Sequence, residues 1–196
     1  MIVAYVMFPI MLGMSAVAHD MFAVLLGEEW MLTVPYFEAV CLAGLFSPIT
    51  VIAYNILKVR CSGPLIVRLE VVKKVLMTAI FAVTIPHSVM AVVWGLVAIA
   101  FCEMTVNFIA TTRFTSLSCA RFVRTLLPPA ALSAAMYAVV RLTAAAIPGN
   151  DLLRLVAEVA AGGACYLLLS VLFRLEAFRE LVAIVRRQLK KTDRPV

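Results

Sequence analysis

Residues 88–112 read SVMAVVWGLVAIAFCEMTVNFIATT. In a helix each residue rises about 1.5 Å, so this stretch can cross the roughly 30 Å hydrocarbon core of a bilayer. Its only charged residue is Glu103. A helix that is apolar on nearly every side must be surrounded, either by a large protein core or by lipid. A chain of 196 residues is too small to wrap several such helices in protein.

Five further stretches read in the same way. They cover about residues 2–26, 35–57, 65–85, 122–147 and 152–173. The first should be kinked or loosened near Pro9 and Gly13. The second has Pro35 in its first turn and Pro48 inside, and the third has charged first turns and a short apolar part. The breaks are short and carry turn chemistry: GEEW at 27–30, CSGP at 61–64, IPHS at 85–88, TTRFTSLSCAR at 111–121 and IPGND at 147–151. No stretch alternates polar and apolar residues as a lipid-facing barrel would, and a lone helix satisfies its own backbone hydrogen bonds in lipid. The expectation is an all-α fold: a polytopic membrane bundle of six transmembrane helices over 1–174, and a cytoplasmic amphipathic basic tail over 175–196. The tail's stripe is Leu175, Phe178, Leu181, Val182, Val185 and Leu189, a pattern that suits the surface of an anionic leaflet.

The whole composition agrees. Hydrophobic residues make up 64% and charged residues 14%, against roughly 45–50% and about 25% in soluble domains, and the mean hydropathy is +1.05. The formal charge is +6, but the basic residues follow topology rather than forming a nucleic-acid patch. One set of loops holds Lys58, Arg60, Arg68, Lys73, Lys74, Arg113, Arg121 and Arg124, and the opposite set only Arg141 and Arg154. Cytoplasmic loops carry the lysine and arginine excess, so six spans, if the first is complete, put both termini in the cytoplasm. Glu28, Glu29 and Trp30 then form an outer hairpin, with the indole in the headgroup belt. Five cysteines without metal or CxxC spacing read as small apolar packing residues.

No catalytic motif, phosphate loop or metal-ligand spacing is present in the sequence, and neither an enzyme activity nor a cofactor or metal is expected. Charged and polar groups inside lipid are costly and mark pathways or interhelical bonds. Glu103, Asn107 and Thr111 recur at four-residue spacing on one helix face, a candidate cavity wall. Asp20, beside His19, could bind a cation, titrate or pair with a neighbouring helix. Arg141 could snorkel outward or face an anionic headgroup in a cavity. Glu158 follows Arg154 by four residues and suggests a local ion pair at the outer interface. The candidate transport residues are therefore Glu103, Asn107, Asp20 and Arg141.

The order of these features resembles a known family. FPIMLGMSAVAHDMFAVLLGEEW (8–30) is similar to the segment of Wzx-type polysaccharide flippases that runs from a Phe-Pro pair to a Gly-Glu-Lys-Trp turn. VPYFEAVCLAGLFSPITVIAYNILKV (34–59) resembles the following helix, with VRLEVVKKV (67–75) as the charged start of the next, and LLLSVLFRLEAFRELVAIV (167–185) resembles the last span and tail. These proteins belong to the multidrug/oligosaccharidyl-lipid/polysaccharide exporter superfamily. The turn after Asn55-Ile56-Leu57 departs from the family's Gly-Arg-Ser-Asp character, since Arg60-Cys61-Ser62-Gly63-Pro64 stands there. Members have more spans, arranged in two lobes, so the chain resembles the C-terminal part. The resemblance implies flipping of undecaprenyl-pyrophosphate-linked oligosaccharide for lipopolysaccharide, capsule or exopolysaccharide synthesis, with an ion gradient as a candidate driving force. It implies membrane lipids, an N-terminal lobe or polysaccharide-assembly proteins as partners, and no nucleic acid. Glu103, Asn107 and Asp20 match no motif of the family. A non-transporting membrane scaffold and a drug or cation exporter of the same superfamily are the alternative readings.

Overall fold

The computed structural model describes residues 2–114, 119–147 and 151–173. Among these there is no strand. Eight α-helices follow one another: α1 (Ile2–Ala16), α2 (Ala18–Leu25), α3 (Val34–Gly44), α4 (Ser47–Arg60), α5 (Gly63–Thr84), α6 (Val89–Phe114), α7 (Cys119–Ala146) and α8 (Asp151–Leu172), with a 3-10 turn over Glu28–Thr33. The tail expected to be amphipathic lies outside the described residues.

The breaks follow from local chemistry. Gly27 closes α2 with φ of +89° and ψ of 171°, a region essentially confined to glycine that costs other residues about 1–3 kcal/mol. The 3-10 turn carrying Glu28, Glu29 and the half-exposed Trp30 takes the place of the expected hairpin. Pro35 and Pro48 each stand in the first turn of a helix, α3 and α4. Proline cannot donate to the helix ladder and crowds the carbonyl four residues back. The second expected span is accordingly two helices, joined through tightened bonds from Leu45 N to Leu42 O and from Phe46 N to Ala43 O, both 3.2 Å. The Phe46 carbonyl accepts from both the Thr50 N–H at 3.1 Å and Thr50 Oγ1 at 3.0 Å. The first stretch also breaks, but not at Pro9 or Gly13: Pro9 lies inside α1, and the chain bends by 65° between α1 and α2, at Val17.

Among the described residues, four helical segments are long and apolar enough to cross a membrane: Glu28–Arg60, Val89–Phe114, Leu126–Ala146 and Asp151–Leu172. The bent α1–α2 pair makes a fifth if it is one span. Helix α5 forms where the third stretch was expected, and its 22 residues are long enough. However, Arg68, Glu70, Lys73 and Lys74 fall in every 18-residue window along it.

The packing has two groups of helices. Helix α7 packs along α1 and α8, and α6 packs along α3, α4 and α5; α1 against α3 joins the two groups. Tyr5, Leu132, Met136 and Tyr166 form one apolar core, and Ala4, Phe8 and Leu126 another. The surface is the reverse of a soluble protein's. Leu142, Leu168 and Leu172 are about 70% exposed, whereas Asp20, Lys73, Asn107, Ser133 and Glu158 are buried. Large exposed apolar area around sequestered polar groups is stable when the surrounding solvent is lipid. The chain is a helical membrane protein by this criterion.

Candidate functional site

The first and last helices run antiparallel, and their contacts are in register. Tyr5 Oη donates to Ser170 Oγ at 2.7 Å, and Arg154 pairs with Asp20 near the opposite ends of the same two segments. The residue numbers of the two pairs add to nearly the same value, as antiparallel helices require. The same register places Glu158 opposite Val17, where the first segment breaks; both line one cleft.

Asp20 is 3% exposed. Its carboxylate accepts both prongs of the Arg154 guanidinium, with Nε to Oδ2 at 2.5 Å and Nη2 to Oδ1. This fork is the strong geometry for an arginine–carboxylate pair. His19 Nδ1 stands 3.1 Å from Oδ1, and Arg154 Nη2 also reaches Asp151 at 3.3 Å. The expected local pair between Arg154 and Glu158 is not what forms, because Arg154 is turned across to α2. Glu158 is left 1% exposed, and no donor reaches either of its oxygens among the described residues; its carboxyl stands beside that of Asp20, with which it can share a hydrogen bond only when one of the two is protonated. Asp20, Arg154 and Arg141 all act on it electrostatically. Arg141, itself exposed, thus belongs to the same charge group from α7.

Glu158 also lines a cleft of about 390 Å³, walled by Gly13, Met14, Val17, Met136 and Val140 among others. A buried carboxyl without a partner carries a desolvation penalty of several kcal/mol unless a proton, a cation or a donor compensates it. Arg154 lies one helical turn from Glu158, so a change of rotamer can move its guanidinium from the interhelical pair with Asp20 to an intrahelical pair with Glu158. The arrangement can therefore exchange one charge pair for another while loosening α2 from α8.

The α6 stripe is separate. Asn107 and Thr111 are buried. Thr111 Oγ1 donates to Ala53 O of α4 at 3.1 Å and to Asn107 O at 2.7 Å, so the threonine makes the interhelical bond. The Asn107 amide has no hydrogen-bond partner at either end among the described residues. Glu103 is half-buried and faces Lys73 of α5 across a gap with no room for a water molecule. Lys73 is 6% exposed and gives its hydrogen bond to Glu70 at 2.5 Å. The four candidates thus divide: Asp20 and Arg141 join Glu158 and Arg154, while Glu103 and Asn107 lie on the α6 group. No cluster of three or more metal-ligating side chains occurs among the described residues.

The charge pattern marks Lys73 only as a loop cation, whereas it lies buried inside α5 because α5 packs against α6; nothing in the charge pattern singles out the Tyr5–Tyr166–Ser170 group. In that group Tyr166 Oη donates to Tyr5 O at 2.6 Å, Ser170 Oγ to Tyr166 O at 2.7 Å, and the rings stand 5.2 Å apart. The four-residue spacing of Tyr166 and Ser170 was the available signal.

No protein-family model matches the chain, and no curated protein or solved structure matches it. The fold and the charge cluster define a class, a helical membrane protein with polar groups held inside the bundle.

Proposed function

We propose that the chain crosses the bacterial inner membrane six times with both ends cytoplasmic, and that it takes part in flipping lipid-linked oligosaccharide for cell-envelope polysaccharide synthesis as one lobe of a Wzx-type transporter. The ordered sequence resemblance supports the substrate class. The observation that carries a transport reading is the buried Asp20–Arg154–Glu158 cluster at the break of the first segment. A bundle with a purely structural role is better served by apolar contacts there, since replacing buried ion pairs by apolar residues is often neutral or stabilising. A broken helix with an exchangeable charge pair supplies two discrete arrangements, which alternating access needs. On this reading α5 enters the bilayer with its charged turns at the cytoplasmic interface.

The test is transfer of a fluorescent prenyl-pyrophosphate oligosaccharide across proteoliposomes holding the protein, together with any lobe encoded beside it. Transfer that Arg154→Gln and Glu158→Gln abolish is expected. Transfer at the protein-free rate, or a rate indifferent to both substitutions, overturns the proposal. A stable complex with polysaccharide-assembly proteins and no transfer supports the scaffold reading instead.

A further inference from the structure

Away from the charge cluster, a groove of about 790 Å³ runs between Tyr54 of α4 and one face of α5. One half of it is basic. Lys58 Nζ stands 4.5 Å from the Tyr54 ring centroid and Lys73 Nζ 4.9 Å. Lys74 lines the groove, and Arg60 and Arg68 are exposed in the neighbouring turns. The one carboxylate in the wall, Glu70, is bound by Lys73. Lys58 and Lys74 have no ion-pair partner among the described residues, so the positive charge there is in surplus. The other half is apolar. Val75, Ala79 and Ala82 continue the wall beyond the last charge, and Val75 is 62% exposed. From Lys74 to Ala82 the helix rises roughly 12 Å, close to the ~15 Å depth of one leaflet's hydrocarbon.

A cationic end joined to an apolar track of one leaflet's depth complements a single amphiphile with an anionic head. We propose that this groove binds an anionic glycerophospholipid, its phosphate held by Lys58 and Lys74 and one acyl chain lying along Val75, Ala79 and Ala82. Juxtamembrane lysines attract anionic headgroups by charge, and aligned apolar side chains select a lipid tail over a soluble anion. The Tyr54 ring holds the Lys58 ammonium near the mouth of the groove by a cation–π contact. The inference rests on the bilayer setting of the bundle and is independent of flipping.

The test uses the full chain carrying Ala79→Trp, in vesicles of phosphatidylcholine or phosphatidylglycerol, with brominated chains as quenchers and the unsubstituted chain as background for Trp30 and Trp94. Phosphatidylglycerol should be preferred at the introduced indole by roughly 25–30-fold, about fivefold for each of the two unpaired lysines. Lys58→Gln with Lys74→Gln should bring that ratio to about one, while circular dichroism stays unchanged. Both lysines are exposed, so folding should survive. Native mass spectrometry of the chain without the indole should show the same loss of retained phosphatidylglycerol. A ratio near one in the starting protein, or a ratio unmoved by the double substitution, overturns the proposal. So does release of the lipid by inorganic phosphate but not by chloride of equal ionic strength, which would mark a free-anion site. A ratio near one in the starting protein with transfer intact sinks the groove and leaves the flippase reading, whereas a preference abolished by the double substitution in a protein that shows no transfer does the reverse.

Discussion

Arg154→Gln removes both charged hydrogen bonds to Asp20 and leaves that carboxylate in the bundle with the exposed His19 and the buried Glu158 carboxyl beside it. Breaking a buried pair by deleting one partner costs roughly 3–5 kcal/mol. The side chains are 21% and 5% exposed, so the arginine end is partly screened and about 2–3 kcal/mol is expected. For a chain of this size each kcal/mol moves the melting temperature by roughly 2–4 °C, which gives a fall of about 5–10 °C. The assay is thermal unfolding in lipid nanodiscs followed by circular dichroism. Asp20→Asn alone should cost less, because it removes the buried charge as well as the bond. The double variant should recover part of the arginine loss, with a coupling of about 1–2 kcal/mol. Arg154→Lys should fall between, since an ammonium keeps the charge and loses the fork. A fall under about 1 °C for Arg154→Gln, or losses that simply add in the double variant, would refute the claim that this pair ties α2 to α8.

Three other outcomes follow from the same packing. Glu158→Gln should leave the melting temperature unchanged or raise it by a few degrees, because the glutamine amide can still donate to Asp20 and a buried ionisable group is removed, while transport falls; a melting temperature lowered by more than about 5 °C would mean that the carboxylate itself is held by a donor. Asn107→Leu should stabilise by about 1–2 kcal/mol, since both amide ends are buried without partners, and unfolding in nanodiscs reads it. The neighbouring glycines should answer with opposite signs. A Cβ at Gly162 would stand 2.8 Å from Val140 Cγ2, whereas one at Gly163 meets nothing within 4 Å. Gly162→Ala should therefore cost about 1–3 kcal/mol by pushing α8 off α7, and Gly163→Ala should gain about 0.5–1 kcal/mol from helix propensity.

Much of this architecture was legible because hydropathy is a local property. Twenty apolar residues in a row announce a helix in lipid whatever they touch, and every stretch named from the sequence is mostly helical over its described residues, with breaks at Val17 and at Leu45 and Phe46. Helix ends were legible where proline or glycine sets them, as at Pro35 and Gly27. The break at Val17 was not, because Pro9 sits within an unbroken helix and the bend appears eight residues later. Nor was the number of spans, since α5 has the length of a crossing and the charge of an interface.

Polar residues inside apolar helices could be picked out one by one, but not paired. Asp20 and Arg154 are 134 positions apart, and each had a nearer partner in the chain, His19 for one and Glu158 for the other. Sequence alone determined that the chain is helical, that lipid is its solvent, and that Asp20 and Glu103 stand within apolar stretches, but not that Lys73 is buried or that Arg141 is exposed. The antiparallel register of the first and last helices decided that Arg154 spends its charge on Asp20 and that Glu158 is left facing a cleft. The reason is physical: burial in lipid depends on the average of neighbouring residues, whereas an ion pair depends on two atoms meeting within about 3 Å, and only packing brings them there.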